Sequence, residues 1–502
     1  MSLINVNDLT FGYEGSLKNV FENVSFHIDT DWKLGLIGRN GKGKTTFLKL
    51  LLGKYEYKGT IVKKVEFDYF PFEVKEKEKM TIEIVNEIAL NVEDWEIIKE
   101  LSLLNTEAEV LYRSFDTLSG GEQVKILLVS LFLKGNNFLL IDEPTNHLDC
   151  ETRKHLVEYL KRKKGFIVVS HDRIFLDQVV DHIISINNTN IEIQKGNFSS
   201  WQENKQAQDN FELMQNEKLK KDINRLEVAS RNTANWSDKI EKSKYNTKNS
   251  GLSIDRGYVG HQSAKMMKKS KVIEKRMEKS IEQKSNLLKN IDRNDSLKIT
   301  PLECKKNPFI IANDLQIKYN NKMIFSPVSF EIKNGDRIAI TGKNGIGKSS
   351  VLKLILGNEI QYEGTLKVAN DLKISYVSQS TENLKGSLRE FARENRVDES
   401  IFKAMLSKMG VSSVEFEKDI KQMSEGQKKK VLIAKSIAEM AHIYIWDEPL
   451  NYIDILTRVQ IEEAILKEQP TLVFVEHDET FVKNVATKIV NLKEISTGKG
   501  DR

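Results

Sequence analysis

One stretch of this 502-residue chain returns in a second copy at an almost constant offset, and that duplication limits the possible folds more than any other feature. GRNGKGKT at Gly38 to Thr45 comes back as GKNGIGKS at Gly342 to Ser349. FLLIDEP at Phe138 to Pro144 comes back as IYIWDEP at Ile443 to Pro449, and SHD at Ser170 to Asp172 as EHD at Glu476 to Asp478. The offset is 304 residues from Lys44 to Lys348, 305 from Glu143 to Glu448 and 306 from His171 to His477. Two homologous domains with few insertions follow.

Each copy reads as α/β. An apolar strand (LGLI, IAIT) runs into a Gly-rich turn and then a helix (TTFLKLLLG, SSVLKLILG), and further apolar runs (FLLI and FIVVS; IYIW and TLVFVE) alternate with helical segments. That alternation predicts a parallel sheet covered on both faces. The expected layout is one domain over residues 1–200, a basic helical linker over 201–301 and a second domain over 302–502. In the linker Phe211, Met214, Leu219, Ile223 and Leu226 recur at helical spacing, as do Ile273, Met277, Ile281, Leu288 and Ile291. An antiparallel helical hairpin is predicted, with its irregular tip over about 244–262, a Gly-, Asn- and Ser-rich stretch.

Composition narrows the function. The formal charge of +5 hides an uneven distribution: from Trp201 to Thr300 there are 22 Lys/Arg against 14 Asp/Glu. The positive charge therefore belongs to the linker. Only Cys150 and Cys304 are present, which excludes a disulfide framework or a thiolate-rich metal site. No apolar run approaches the ~20 residues that cross a bilayer, and the N-terminus lacks signal-peptide character, so a cytoplasmic protein is expected.

The pattern GxxxxGK[ST] between strand and helix surrounds phosphates with backbone N–H groups and a helix N-terminus. In the first copy this assigns Gly38, Asn40, Gly41, Gly43, Lys44, Thr45 and Thr46 to a triphosphate, and in the second Gly342, Asn344, Gly345, Gly347, Lys348, Ser349 and Ser350. The lysines would reach the β- and γ-phosphates. Thr45 with Asp142, and Ser349 with Asp447, would hold Mg²⁺. Glu143 and Glu448 follow those aspartates, where a carboxylate can polarise an attacking water as general base. His171 and His477 recur before Asp and are assigned to γ-phosphate sensing. LSGGEQ, with Ser119, Gly120, Gly121 and Glu122 at a helix start, makes a second anion cradle.

Taken together, these motifs resemble ATP-binding-cassette ATPases. The resemblance implies that Tyr13 and Tyr319 stack on adenine, that Asp149 in NHLD and Asp454 in NYID are D-loop residues, and that Gln379 in YVSQ is a Mg²⁺ ligand. The second signature is MSEGQ, with Ser424, Gly426 and Gln427 facing nucleotide. Two fused cassettes, no transmembrane segment and a basic linker are similar to the ABC-F proteins, most of all the Lsa-like group of antibiotic-resistance ribosome-protection factors. The implied function is ATP-dependent binding to the bacterial ribosome, on 23S rRNA of the 50S subunit and P-site tRNA. Entry at the tRNA exit region would displace lincosamides, pleuromutilins and streptogramin A compounds from the peptidyl-transferase region. The alternatives are a housekeeping ABC-F translation factor that relieves stalled ribosomes, or the ATPase subunit of a drug exporter. A monomer whose cassettes dimerise within the chain is expected.

In this family each ATP lies between the phosphate loop of one cassette and the signature of the other. Glu425 stands where the first signature has Gly120, and Phe72 in YFPF stands where the second copy has Gln379. Both departures fall in the composite site built on Lys44, so the Lys348 site is expected to hydrolyse faster. Candidate ribosome contacts in the linker are Lys244, Tyr245, Lys248, Arg256, Tyr258, His261, Lys265, Lys268, Lys269 and Lys271, because cationic density suits RNA phosphates and the tyrosines can stack on splayed bases.

Overall fold

The computed structural model describes residues 2–15, 19–90, 92–135, 137–145, 148, 150–187, 189–243, 261, 264–265, 268, 271–272, 275, 296–304, 307–319, 322–343 and 345–494. Its backbone divides into one compact unit of residues 1–201 with 295–502, and a second of residues 202–294.

Within the first unit the two copies repeat one architecture. The first copy has strands Leu3–Phe11 (β1), Phe21–Asp29 (β2), Lys33–Gly38 (β3), Lys58–Val62 (β4), Glu66–Phe70 (β5), Asn137–Asp142 (β6), Phe166–Val169 (β7), His182–Asn187 (β8) and Asn190–Lys195 (β9). Strands β2, β1 and β4 form an antiparallel sheet, and β5-β6-β7-β3-β8-β9 form a sheet that is parallel except for the β8/β9 hairpin. The second copy has Ile310–Tyr319 (β10), Lys322–Met323 (β11), Val328–Ile332 (β12), Arg337–Thr341 (β13), Tyr362–Val368 (β14), Ile374–Val377 (β15), Ile443–Asp447 (β16), Leu472–Val475 (β17) and Lys488–Asn491 (β18). Its parallel sheet runs β15-β16-β17-β13-β18, and β10 pairs with β11, β12 and β14 in the antiparallel layer.

The central strands are short, buried and apolar. FIVV of β7 and LVFV of β17 are fully inside, as strands covered on both faces must be. One face of each sheet packs on the antiparallel layer and the phosphate-loop helix, through Phe21, Phe47 and Leu48 in the first copy and Phe309, Phe325 and Leu352 in the second. The other face packs on helices that include Gly120–Leu133 and Glu425–Ala438. At the C-terminal strand ends, β3, β6 and β7 deliver the phosphate loop, Asp142 and Ser170 to one edge, and β13, β16 and β17 repeat this around Asp447 and Glu476.

The helix Phe198–Ser243 is 46 residues long, and its first turn is anchored by Phe198 and Trp201 in the first cassette's core. Phe211 and Met214, which recur at helical spacing, lie on this helix and are 60% and 72% exposed. His261, Lys265, Lys268 and Lys271 are helical and exposed. Lys244, Tyr245, Lys248, Arg256, Tyr258 and Lys269 lie outside the described residues, as do Asp149 and Asn344. Among the described residues no helix is long and apolar enough to cross a membrane.

Candidate active site

Each phosphate loop turns from strand to helix through a left-handed glycine, Gly43 at φ 96° and Gly347 at φ 99°. A Cβ at Gly43 would meet Val20 at 2.6 Å, and one at Gly347 would meet Ile324 at 3.0 Å, so neither position accepts a side chain without movement. The loop lysines fold back onto their own loops. Lys44 Nζ donates to Gly38 O at 2.7 Å and Asn40 Oδ1 at 3.2 Å, and Lys348 Nζ to Gly342 O at 2.8 Å and Lys343 O at 3.1 Å. Burial pushes the pKa of both lysines down. A buried cation gains from a concentrated anion placed beside it, so the cradle fits a triphosphate. Beside each loop Tyr13 meets Thr46 Oγ1 at 2.7 Å and Tyr319 meets Ser350 Oγ at 3.1 Å, with both rings half exposed.

The hydroxyls and aspartates predicted for a cation meet in both copies. Thr45 Oγ1 lies 3.3 Å from Asp142 Oδ2, and Ser349 Oγ lies 3.0 Å from Asp447 Oδ1. Burial raises the pKa of both aspartates. In the first copy Tyr69 also donates to Asp142 at 2.9 Å. Among the described residues no cluster of three His, Cys, Asp or Glu forms a closed metal site. One carboxylate and one hydroxyl leave most positions to phosphate and water, the donor set of a Mg²⁺ ion that arrives with its nucleotide.

The glutamates after these aspartates share a backbone signature that sequence does not reveal. Glu143 at φ 53° and Glu448 at φ 46° are left-handed, a strained conformation for a side chain of this size. Each is fixed through its N–H, Glu143 to Val169 O at 2.9 Å and Glu448 to Val475 O at 3.0 Å. Their carboxylates differ. Glu448 accepts from Gln379 Nε2 at 2.9 Å and Asn451 Nδ2 at 2.8 Å, and His477 Nε2 lies 3.3 Å from its Oε1. The His477 contact, then Gln379 and Asn451, hold its pKa down to about 2 against burial. Glu143 has Phe72 in place of that glutamine. Its Oε1 is buried 3.1 Å from His171 Nε2 and, among the described residues, makes no hydrogen bond. Burial, then the charge of Asp142, raises the Glu143 carboxyl to about 7. Burial, then Lys44 and Arg458, drives His171 well below the usual imidazole range.

The two cassettes touch beside the Lys44 loop. Asn40 N–H donates to Asp454 Oδ2 at 3.2 Å, Asn40 Nδ2 to Tyr452 O at 2.7 Å, and Arg39 Nη1 to Lys408 O at 3.1 Å. Asp454 caps the helix Ile455–Glu468 and pairs with fully buried Lys430 at 2.6 Å. Burial would raise its pKa, but Lys430 and Lys44 overcome this and hold it ionised. Ile455 enters the first cassette's core cluster. A cleft of about 1860 Å³ is lined by residues of both copies, among them Asn40, Glu143, His171, Lys348, Gln379, Ser424, Gly426, Glu448 and His477. Single ligand pockets span roughly 300–1,000 Å³, so this cleft has room for more than one nucleotide.

Both signatures start helices with reciprocal caps. Ser119 Oγ accepts from Glu122 N–H while Glu122 Oε2 accepts from Ser119 N–H, and Ser424 with Gln427 repeats the arrangement. Glu425 does not point freely at the cleft. Its carboxylate accepts from Thr381 and pairs with Lys428 at 2.8 Å, which together pull its pKa down and leave its charge partly compensated. Sequence reasoning missed Tyr69, Asn451 and Arg458. Arg458 lies one helical turn beyond Asp454, and that spacing is the signal that could have found it.

A family model described as ABC transporter matches residues 21–146 and 325–451. The ribosome protection protein VmlR of Bacillus subtilis is 28% identical over 500 residues, covering 97% of this chain and 86% of VmlR. The erythromycin resistance ATP-binding protein MsrA of Staphylococcus epidermidis is 30% identical over 475 residues, 91% of each chain. The ATP-binding protein Uup of Buchnera aphidicola is 28% identical, covering 97% of this chain and 80% of Uup. Among solved structures, the archaeal ribosome recycling factor aABCE1, crystallised with the stalk protein aP1, superposes with a TM-score of 0.58 at 20% identity, covering 96% of this chain and 87% of that one. With two family matches spanning half its length, this chain belongs to the ABC transporter family, as a pair of ATP-hydrolysing cassettes in a single polypeptide.

Proposed function

We propose that the chain couples ATP binding and hydrolysis to engagement of the bacterial ribosome and thereby protects translation from antibiotics. The observation that carries this reading is a nucleotide cleft built by two cassettes of one chain, joined by a linker with 22 Lys/Arg against 14 Asp/Glu. Its relatives support the reading: one is named for ribosome protection and another for erythromycin resistance. Lys44 and Lys348 grip the β- and γ-phosphates, and Tyr13 and Tyr319 stack on adenine. Thr45 with Asp142, and Ser349 with Asp447 and Gln379, hold Mg²⁺, which when bound neutralises phosphate charge. Glu143 and Glu448 accept the proton of the attacking water, and His171 and His477 report the γ-phosphate.

Nucleotide at both loops draws each signature helix toward the opposite phosphate loop, and hydrolysis releases it. The linker cations, including His261, Lys265, Lys268 and Lys271, meet ribosomal RNA phosphates, with affinity that falls as salt rises. The Lsa-like resemblance extends the proposal to lincosamides, pleuromutilins and streptogramin A compounds, displaced from a cytoplasmic ribosome near P-site tRNA.

The test is cosedimentation of the Glu143→Gln, Glu448→Gln double variant with 50S or 70S particles in the presence of ATP. Retention that needs ATP and weakens from 50 to 200 mM salt supports the proposal. Failure to cosediment at moderate salt overturns it. Rescue of drug-inhibited translation by the protein in an extract, with drug accumulation unchanged in expressing cells, separates it from export.

A further inference from the structure

Around Glu448 the second cassette carries two buried charges that the first does not. Lys429, on the signature helix Glu425–Ala438, is 1% exposed, and its Nζ donates to Ser378 O and Glu448 O, both at 3.0 Å. Glu476, 7% exposed, accepts from Leu450 N–H at 2.7 Å through Oε1 and from His477 N–H at 3.0 Å through Oε2. Offsets of 305 and 306 residues place Val124 and Ser170 at the corresponding positions. Val124 packs against the apolar core, and Ser170 reaches the Thr145 hydroxyl at 3.1 Å and the Asp172 N–H at 3.2 Å.

The main-chain atoms held by these charges belong to the segments that surround the Glu448 carboxylate. Ser378 precedes Gln379, Leu450 precedes Asn451, and His477 carries its own imidazole to the same carboxylate. Lys429 thus anchors both ends of the Gln379–Glu448 hydrogen bond, and Glu476 anchors the two segments that deliver Asn451 and His477. A buried charge is costly unless it is satisfied. Burial pushes the Lys429 pKa down, and Glu476 leads the carboxylates that oppose this. The first cassette builds the same sheet and helix with Val124 and Ser170, so the fold itself does not require either charge.

We propose that Lys429 and Glu476 are positioning residues for ATP hydrolysis at the Lys348 pocket, tying the signature helix of the second cassette to the segments that orient Gln379, Asn451 and His477 on Glu448. The proposal rests on ATP hydrolysis alone and stands or falls independently of ribosome binding.

The test is steady-state ATP hydrolysis by the full chain carrying Lys429→Met in two backgrounds. In Glu143→Gln, where turnover belongs to the Lys348 pocket, kcat is expected to fall ~10- to 100-fold with KM within about twofold, the pattern of a displaced catalytic group. In Glu448→Gln the residual rate is expected to stay within about twofold. Lys429→Arg, which keeps donors for both carbonyls, should recover most of the loss. If Lys429→Met melts too low to assay, Glu476→Gln carries the same comparison, since it keeps one acceptor and removes the charge. Equal losses in both backgrounds, unchanged turnover in Glu143→Gln, or a loss seen mainly in KM would overturn the proposal.

Discussion

The glutamate after the strand-end aspartate is the same residue in both copies, yet its neighbours give it opposite acid–base characters. Glu143 has a folded value of about 7 against an ordinary 4.5, so the folded state holds its proton more tightly than the unfolded chain. Stability therefore falls as pH rises from 4.5 through about 7, and the cost is full above that window. Glu448 is the reverse, with a folded value of about 2. Its contribution is present above 4.5 and is lost as pH falls toward 2. Nucleotide-free Glu143→Gln should therefore melt a few degrees higher than the parent at pH 8 and show no gain at pH 4.5. Glu448→Gln should melt lower at both, because its three donors lose a charged acceptor. Calorimetry across this range checks both; a lower melting temperature for Glu143→Gln at pH 8 would contradict the assigned environment.

At the scale of elements, the helix Ile455–Glu468 joins the cassettes, because one face of it carries two cross-copy contacts with a positive charge between them. Asp454 caps it beside Asn40, Glu462 pairs with Arg173 at 2.8 Å, and between them Arg458, paired with Asp478 of its own cassette at 3.2 Å, adds charge to the field around Glu143 and His171. Both partners of the Arg173–Glu462 pair are buried, and Glu462 is also held by Asn484 at 2.7 Å. Removing one member strands the other charge away from water. Glu462→Ala should cost about 3 kcal/mol in urea unfolding, while Arg173→Met with Glu462→Met should recover most of it. A loss as large in the double variant would place the cost in packing instead. This interface also marks what sequence could reveal. The phosphate loops, strand-end carboxylates and signatures were legible because each is a run of neighbouring residues with a fixed order of glycine, charge and apolar strand. Arg173 with Glu462, Tyr69 with Asp142, and Lys429 with Glu448 were not, because their partners are brought together only by packing. The loss of Gln379 chemistry at Phe72 was legible, since aligning the copies exposes it. The left-handed backbone at Glu143 and Glu448 was not, because nothing in Asp-Glu-Pro demands it.

Across the whole molecule the duplication produces near symmetry, and the departures from it gather around the Lys44 loop. There the loop bonds directly to the other copy through Arg39 and Asn40, whereas Lys343, the counterpart of Arg39, pairs with Glu494 of its own cassette at 2.9 Å. The Arg173–Glu462 pair lies beside the same site, and the equivalent positions hold Glu479 and Val157. The facing signature carries Glu425 in place of a glycine, and Phe72 offers Glu143 no hydrogen bond. A nucleotide there would be clasped by a well-braced interface but served by a poorly oriented base. At Lys348 the base is ionised and held by three side chains. The Lys348 pocket should therefore carry most steady-state turnover while the Lys44 pocket retains its nucleotide. Losing one acid–base group slows a pocket about 100-fold or more, so Glu448→Gln, acting on the pocket that carries most turnover, is expected to remove at least about nine-tenths of the ATPase rate, and Glu143→Gln less than half. Filter binding after rapid dilution should find the slowly released nucleotide lost on Lys44→Ala and kept on Lys348→Ala. A larger rate loss from Glu143→Gln than from Glu448→Gln would reverse the assignment, because a carboxyl with a pKa near 7 would then be the better base despite having Phe72 where Glu448 has Gln379.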